Sequence, residues 1–301
     1  MISVVIPLYN KEKSIRGTLL SVCTQTYTDF EVIVVDDGST DKGGIIAASF
    51  PDKRISVIHK PNGGVCSARN LGVQKANGEF IAFLDADDYW EPTYLETLVQ
   101  LINDYPKAGI WGLNFGTMLG DKKISKPSPL YPGFRGIIHN PWIKGSPFWT
   151  SAIGISKTAF EKVNGFDTRI HCGEDIDLWY RIMLEFPCAF HDIVLCYYRI
   201  DAENRAMNHS FPLTRNLPYY IDKYAKYRAA DKCFRRYFDT QCLYRLFPYA
   251  VSGEYKNELK QSLAHIDWSL QKRSMRFRFR FPRLYNRYRK LRGRSDDKPE
   301  S

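Results

Sequence analysis

The first hundred residues alternate short apolar runs with helical periodicities. Residues 2–6 are a β-branched run closed by Pro7, and residues 31–35, 55–58 and 80–84 are three more runs with the length and composition of buried strands. Between them, residues 14–24 place Ile15, Leu19 and Val22 at helical spacing, and residues 65–75 follow a Gly-Gly pair. Glu91-Pro92 then opens a further helix. Strands alternating with helices predict an α/β fold: a Rossmann-like, mostly parallel sheet with helices on both faces.

The pattern loosens after residue 108. Residues 110–115 and 190–198 read as strands, and residues 156–163 and 174–185 as helices. The Pro- and Gly-rich stretch 126–149 reads as long loops with a hairpin around Gly136-Ile137-Ile138. Beyond Phe211 the pattern turns helical, at 213–229, 231–251 and 255–271. The expected organisation is a folded α/β region over 1–210, divided near 115, then a helical extension over 211–271 and a basic, aromatic tail over 272–301.

Charge sharpens this division. The chain of 301 residues carries a formal net charge of +10. Eleven Lys and Arg, with no acid among them, fall between Lys272 and Arg294, so the rest of the chain is close to neutral. The seven cysteines (Cys23, Cys66, Cys172, Cys188, Cys196, Cys233, Cys242) are scattered, and no two form a C-x-x-C pair. This disfavours a disulfide framework or a zinc site and fits a reducing cytoplasm. No apolar run approaches the roughly 18–20 residues of a membrane-spanning helix. The first seven residues lack a basic n-region and a cleavage site, and read as a strand rather than a signal peptide.

In an open parallel sheet, ligands bind outside the carboxyl ends of the strands. Three predicted strand ends carry polar residues: Pro7-Leu8-Tyr9-Asn10, Asp36-Asp37-Gly38-Ser39 and Asp85-Ala86-Asp87-Asp88. A lone Asp at such an end serves more often as a helix cap. Two carboxylates one residue apart, Asp85 and Asp87, repel unless a cation or a proton lies between them. A hard divalent ion sharing its shell with substrate phosphates would resolve that repulsion. By itself D-x-D would equally suit a phosphatase with an aspartyl nucleophile. The loop 62–70 brings two glycines and Arg69 to a helix start, which suits diphosphate oxygens or is a plain turn. It is not a P-loop, and the first turn lacks G-x-G-x-x-G. Glu174, Asp175 and Asp177 lie in a first helical turn, where the dipole favours acids; any one of them could alternatively be a general base.

In this order, VVIPLYN, QTYTDFEVIVVDDGSTD, NGGVCSARNLG, GEFIAFLDADD and GEDIDLWYR resemble the family 2 glycosyltransferases of the GT-A fold, over roughly residues 2–200. The resemblance implies an inverting transferase with a nucleotide-diphosphate sugar donor and a Mn²⁺ or Mg²⁺ ion. It implies a nucleotide-sugar site at Pro7, Tyr9, Asn10, Asp37, Arg69, Asp85 and Ala86, with Tyr9 beside the base and Asp37 accepting from its ring N–H, which favours UDP. Asp87 would be the direct metal ligand and Asp85 its assistant. Asp175 would be the catalytic base with Glu174 beside it, and Trp149 and Trp179 would line the acceptor site. Relatives often place a His after a Tyr-Arg pair near the metal; here Tyr198-Arg199-Ile200 leads to Asp201. The Q-x-x-R-W motif of processive synthases is absent, so one sugar per turnover is expected. The implied acceptor is a hydroxyl of a glycan or lipid-linked glycan, in bacterial surface polysaccharide synthesis. A sugar nucleotidyltransferase and a non-catalytic nucleotide-sugar-binding protein are the alternatives.

The segment 272–294 alternates Arg with Phe before Tyr285, Tyr288 and Leu291. It reads either as a solvated tail or as a contact with an anionic membrane surface, which predicts a cytoplasmic protein peripheral on the inner face of the membrane. A nucleic-acid partner is disfavoured because the charge is confined to the tail.

Overall fold

The computed structural model describes residues 1–205 and 211–291; Arg292 and Arg294 of the basic segment lie outside the described residues. In chain order the strands are β1 (Ile2–Leu8), β2 (Phe30–Asp36), β3 (Ile55–His59), β4 (Phe80–Phe83), β5 (Tyr89–Trp90), β6 (Ile110–Leu119), β7 (Lys122–Ile124), β8 (Arg135–Ile138), β9 (Ile153–Ser156) and β10 (Cys188–Arg199). The helices are α1 (Ile15–Cys23), α2 (Gly43–Ala48), α3 (Val65–Lys75), α4 (Tyr94–Asp104), α5 (Pro141–Lys144), α6 (Lys157–Lys162), α7 (Glu174–Glu185), α8 (Ala225–Ala230), α9 (Lys232–Ser252), α10 (Lys256–Ala264), α11 (Arg273–Arg280) and α12 (Pro282–Leu291).

Two compact units emerge. Among the described residues, the first comprises 1–139, 146–168 and 175–205; the second comprises 140–145, 169–174 and 211–291. The second unit therefore begins earlier in sequence than the expected helical extension and takes in two short pieces of the middle region.

The first unit is built on one sheet in the order β3-β2-β1-β4-β9-β6-β10-β5, with β7 added to β6 and β8 to β10. The pairs β1–β2, β1–β4, β2–β3 and β6–β10 are parallel, while β9 runs antiparallel between β4 and β6. Strand β1 is buried on both faces, as its apolar run, broken only by Ser3, requires. Ile2, Val4, Ile6 and Leu8 pack with Leu19 and Val22 of α1 and Leu98 of α4. On the other face α3 lies so close that a Cβ on Gly72 would come within 2.3 Å of Val5 Cγ1. Phe83 on that face packs against Phe160, Phe166 and Trp179.

Several elements differ from the expected ones. Residues 135–138 form no hairpin of their own; they pair antiparallel with the start of β10. Strand β9 fills the middle of the sheet from a stretch that the sequence left unassigned. Residues 213–224 are mostly 3₁₀ turns before α8 begins, with Pro218 at the start of the longer one.

In the second unit Asp231 caps α9 by accepting from the amides of Cys233 (2.7 Å) and Phe234 (3.1 Å). Trp142 of α5 packs on Phe234, and Phe234 and Phe238 pack on Tyr224. Residues 272–291, expected as a tail, form α11 and α12 on this core: Met275 is buried, and Phe279 and Tyr285 both pack edge-on against Phe247. Among the described residues, no helix is long and apolar enough to cross a membrane.

Candidate active site

Register brings the polar strand ends together. Leu8 pairs with Asp36, so Tyr9 and Asp37 leave the same edge side by side, and the Asp37 amide donates to Leu8 O (2.8 Å). Strand β4 stops earlier, at Phe83, so residues 85–88 turn beneath that edge.

Asp37 is buried, and its carboxylate accepts from the amides of Gly63 (2.9 Å) and Gly64 (2.8 Å) and from the Lys60 ammonium. It thereby fixes the glycine loop at the start of α3. Those two amides, just before the first turn of α3, are thus already used within the protein rather than kept for phosphate. Gly38 has φ +76°, and a Cβ there would meet the Asn62 amide nitrogen at 2.8 Å, so glycine is required at this close approach. Asn10, itself at φ 52°, stitches the two loops: its amide donates to Ser39 Oγ (3.1 Å) and its side chain accepts from the Thr40 amide (2.8 Å). Pro7 is the penultimate residue of β1, and Tyr9 beyond it is exposed and available to a flat ligand.

Both acids of the D-x-D turn are paired with cations. Buried Arg69 donates to Asp85 Oδ1 (2.7 Å) and stands over the Phe166 ring. Lys11 donates to Asp87 Oδ2 (2.6 Å) with both side chains nearly buried. Burial pushes the Asp87 carboxyl above the usual carboxylate range; Lys11 opposes that shift and Asp85 adds to it. Burial pushes neighbouring Asp88 well above that range too, with Asp85 and Asp87 reinforcing it. Thr18 Oγ1 donates to the carbonyls of Ala86 and Asp88 (2.9 Å each), so α1 holds the turn's backbone.

Lys11 and Arg69 each use one oxygen of their carboxylate, which leaves Asp87 and Asp85 a second oxygen each for a ligand. Among the described residues no third His, Cys, Asp or Glu joins them in a metal-holding group. This donor set fits a Mg²⁺ or Mn²⁺ ion that takes one or two carboxylates and draws the rest of its shell from substrate phosphates and water.

Beyond Asp201, the strap that follows β10 was not legible in sequence. Lys11 also donates to the Glu203 carbonyl (2.5 Å). The Glu203 carboxylate accepts from the amides of Lys13 (2.9 Å) and Ser14 (3.1 Å) and from Ser14 Oγ (2.6 Å), which caps the start of α1. Asn204 donates to Tyr9 O (3.2 Å), and Arg205 donates twice to Tyr198 Oη (3.0 and 2.7 Å). Asp201, standing where relatives often have His, instead accepts from the Gly120 amide (2.9 Å) in the β6–β7 turn, a bond that holds its carboxyl below the usual range.

The acids of α7 separate by role. Asp177 is fully buried and paired with Arg181 (2.6 Å), which also donates to the carbonyls of Val163 and Gly165, so Asp177 is structural. Asp175 is partly exposed and accepts from Thr150 Oγ1 (3.2 Å) and from the Ile176 amide (2.7 Å). Glu174, the first residue of α7, groups with the second unit. Trp149 stacks on Phe115 (4.6 Å) and meets Tyr198 edge-on, with part of its surface open. Trp179, expected at the acceptor site, is only 1% exposed among Phe83 and Phe166. It is a core residue because its place on α7 faces the sheet.

Lys11, Thr150 and strap residues Glu203, Asn204 and Arg205 are the site residues that sequence reasoning missed. Only Lys11 carried a signal: a cation in the loop after the first strand, beside two acidic strand ends.

The sequence profile of glycosyl transferase family 2 matches residues 3–163. An uncharacterized glycosyltransferase of Rickettsia felis is 32% identical over 222 residues, 67% of this chain and 35% of that protein. Glycosyltransferase GlyA of Streptococcus pneumoniae serotype 4 is 43% identical over 106 residues, 35% of this chain and 15% of GlyA. The chain thus spans about a third or less of the length of these two relatives. The crystal structure of S. aureus TarS 1-349 in complex with UDP-GlcNAc matches with a TM-score of 0.70 at 18% identity, over 97% of this chain and 92% of that one. At that identity the likeness is one of fold, and the fold shared is GT-A. With the profile covering the strand ends, the glycine loop and the D-x-D turn, this chain belongs to glycosyl transferase family 2.

Proposed function

We propose that the protein transfers a single sugar, with inversion and with a divalent cation, from a UDP-sugar to a hydroxyl of a glycan or lipid-linked glycan in surface polysaccharide synthesis. The observation that carries this reading is the junction of Tyr9, Asp37, Arg69 and the Asp85–Asp87 turn at one sheet edge, on a fold whose S. aureus relative binds UDP-GlcNAc.

In this reading Tyr9 stacks on the base. Asp37 offers the base an acceptor, since a carboxylate has about four lone-pair sites and three are in use. Asp87, assisted by Asp85, holds Mn²⁺ or Mg²⁺, whose chemistry when bound is to neutralise charge on the diphosphate. Arg69 and Lys11 add fixed positive charge beside it. Asp175, oriented by Thr150, takes the proton of the acceptor hydroxyl. The hydroxyl oxygen forms its bond to the anomeric carbon as the bond from that carbon to the diphosphate breaks, and UDP leaves with the electron pair. One base and no enzymic nucleophile give inversion. Trp149 offers the acceptor sugar an apolar platform.

The test is a panel of nucleotide sugars scored for Mn²⁺-dependent thermal stabilisation, followed by product analysis with the donor that stabilises most. Release of the nucleoside diphosphate is expected; release of pyrophosphate would make the protein a nucleotidyltransferase. Asp175→Asn is expected to retain donor stabilisation and lose about 100-fold or more in transfer. Unchanged transfer removes Asp175 from the base role.

A further inference from the structure

Helices α11 and α12 present two different faces. Inward, Met275 is buried, Phe279 packs against Phe247 and Trp268, and Tyr285 packs against Phe247. This fixes which way the pair is turned. Outward, Phe277, Phe281, Leu284, Tyr288 and Leu291 are all exposed, Leu284 at 59% and Leu291 at 81%. Phe277 and Phe281 are in ring contact (5.4 Å) at the junction of the helices. Leu284, Tyr288 and Leu291 follow at four- and three-residue steps, one stripe at roughly 100° per residue.

Basic residues flank this stripe. Lys272, Arg273, Arg276, Arg280, Arg283, Arg287 and Lys290 are all exposed, and no acid lies between Lys272 and Leu291. On one side of the stripe, Arg283, Arg287 and Lys290 join Asn286, Leu291 and Val251 of α9 around a cavity of about 410 Å³. An apolar stripe, a basic border and a basic pocket at that border are what a helix lying in a bilayer interface requires.

We infer that α11 and α12 dock the protein on an anionic phospholipid surface, with the stripe in the acyl boundary and the pocket taking a lipid phosphate. Leu284 and Leu291, the two most exposed residues of the stripe, favour an acyl boundary over nucleic acid, where aromatic stacking supplies the apolar contact. The uniform positive charge decides against a second copy of the same face. The docking rests on the proposed transfer only for its purpose, to bring the site to a lipid-linked acceptor; vesicle binding and donor binding are read separately.

Deleting residues from 272 onward would strip Phe279 and Tyr285 from Phe247, so surface variants are the sharper test. The full chain is sedimented with vesicles of phosphatidylglycerol and phosphatidylcholine, and with phosphatidylcholine alone. Binding to the anionic vesicles only is expected. Each basic residue near the surface contributes roughly fivefold in partition. The triple variant Arg283→Glu, Arg287→Glu, Lys290→Glu should therefore lose about 100-fold or more. Leu284→Ser, Tyr288→Ser, Leu291→Ser should lose binding as well, with the helical circular dichroism and the UDP-induced thermal shift of both variants unchanged. The inference is overturned if the wild type does not pellet, if either triple variant pellets as the wild type does, if millimolar inorganic phosphate displaces the vesicles, or if an oligonucleotide binds at a lower phosphate concentration than the vesicles.

Discussion

Lys11 reaches Asp87 across 76 positions of chain, with both side chains withdrawn from water. D-x-D was legible because two acids one residue apart are a local pattern with a physical problem to solve. Its partner was not, because a lone lysine in a loop has no spacing to read. The same holds for Asp37: its place at a strand end is written in the sequence, but its grip on Gly63 and Gly64 depends on how the third crossover folds back. Trp179 failed in the opposite sense, since an aromatic near a supposed acceptor site is indistinguishable in sequence from a core residue at helical spacing. Lys11→Met leaves Asp87 with its charge buried and unopposed, which is expected to cost about 3 kcal/mol of stability in the donor-free protein. Mn²⁺ should then raise the melting temperature of the variant by more than that of the wild type, because the cation supplies the counter-charge that methionine lacks. Thermal melts with and without Mn²⁺ check this; equal shifts in the two proteins would separate Lys11 from the cation site.

At the scale of elements, the parallel strands β2, β1 and β4 were legible because strands covered on both faces read as largely apolar runs, whereas β3, at the sheet edge with Ser56 and His59 exposed, was legible from Ile55, Val57 and Ile58 alone. Strand β9 was not: four residues containing Gly154, running against its neighbours, carry almost no periodic signal. Residues 135–138 looked like a hairpin because their partner, β10, lies some fifty positions away and no local feature announces it. The tail was misread because its arginines outweigh Met275 and Phe279, whose four-residue spacing is the anchoring face. The close approach of α3 to β1 is set by Gly72. Gly72→Ala would gain about 1 kcal/mol of helix propensity. Its Cβ would meet Val5 Cγ1 at 2.3 Å, and a β-branched side chain locked in a buried strand has little room to yield. Overpacking of this kind costs about 1–3 kcal/mol, so a net loss of stability is expected in urea unfolding. A gain would mean that α3 can lift from the sheet without cost.

Across the whole molecule, the residues of the proposed transfer and the basic segment are segregated. Tyr9, Asp37, Arg69, Asp85, Asp87 and Asp175 all belong to the first unit, and the described residues of the basic segment belong to the second. Hydrogen exchange can therefore read two ligands as two maps. With UDP and Mn²⁺ at a hundred times the dissociation constant, binding adds about 2.7 kcal/mol to every opening that destroys the site. The amides of the glycine loop at Gly63 and Gly64 and those of the turn at residues 85–88 are expected to slow by up to about 100-fold, while the amides of α11 and α12 keep their rates. Anionic vesicles should give the complementary map, slowing residues 273–291 and leaving Gly63 and Gly64 as they were. Protection by UDP that spreads evenly over α9 to α12 would mean that the second unit opens only together with the donor site. The segregation of charge from chemistry would then be one of sequence and not of energetics.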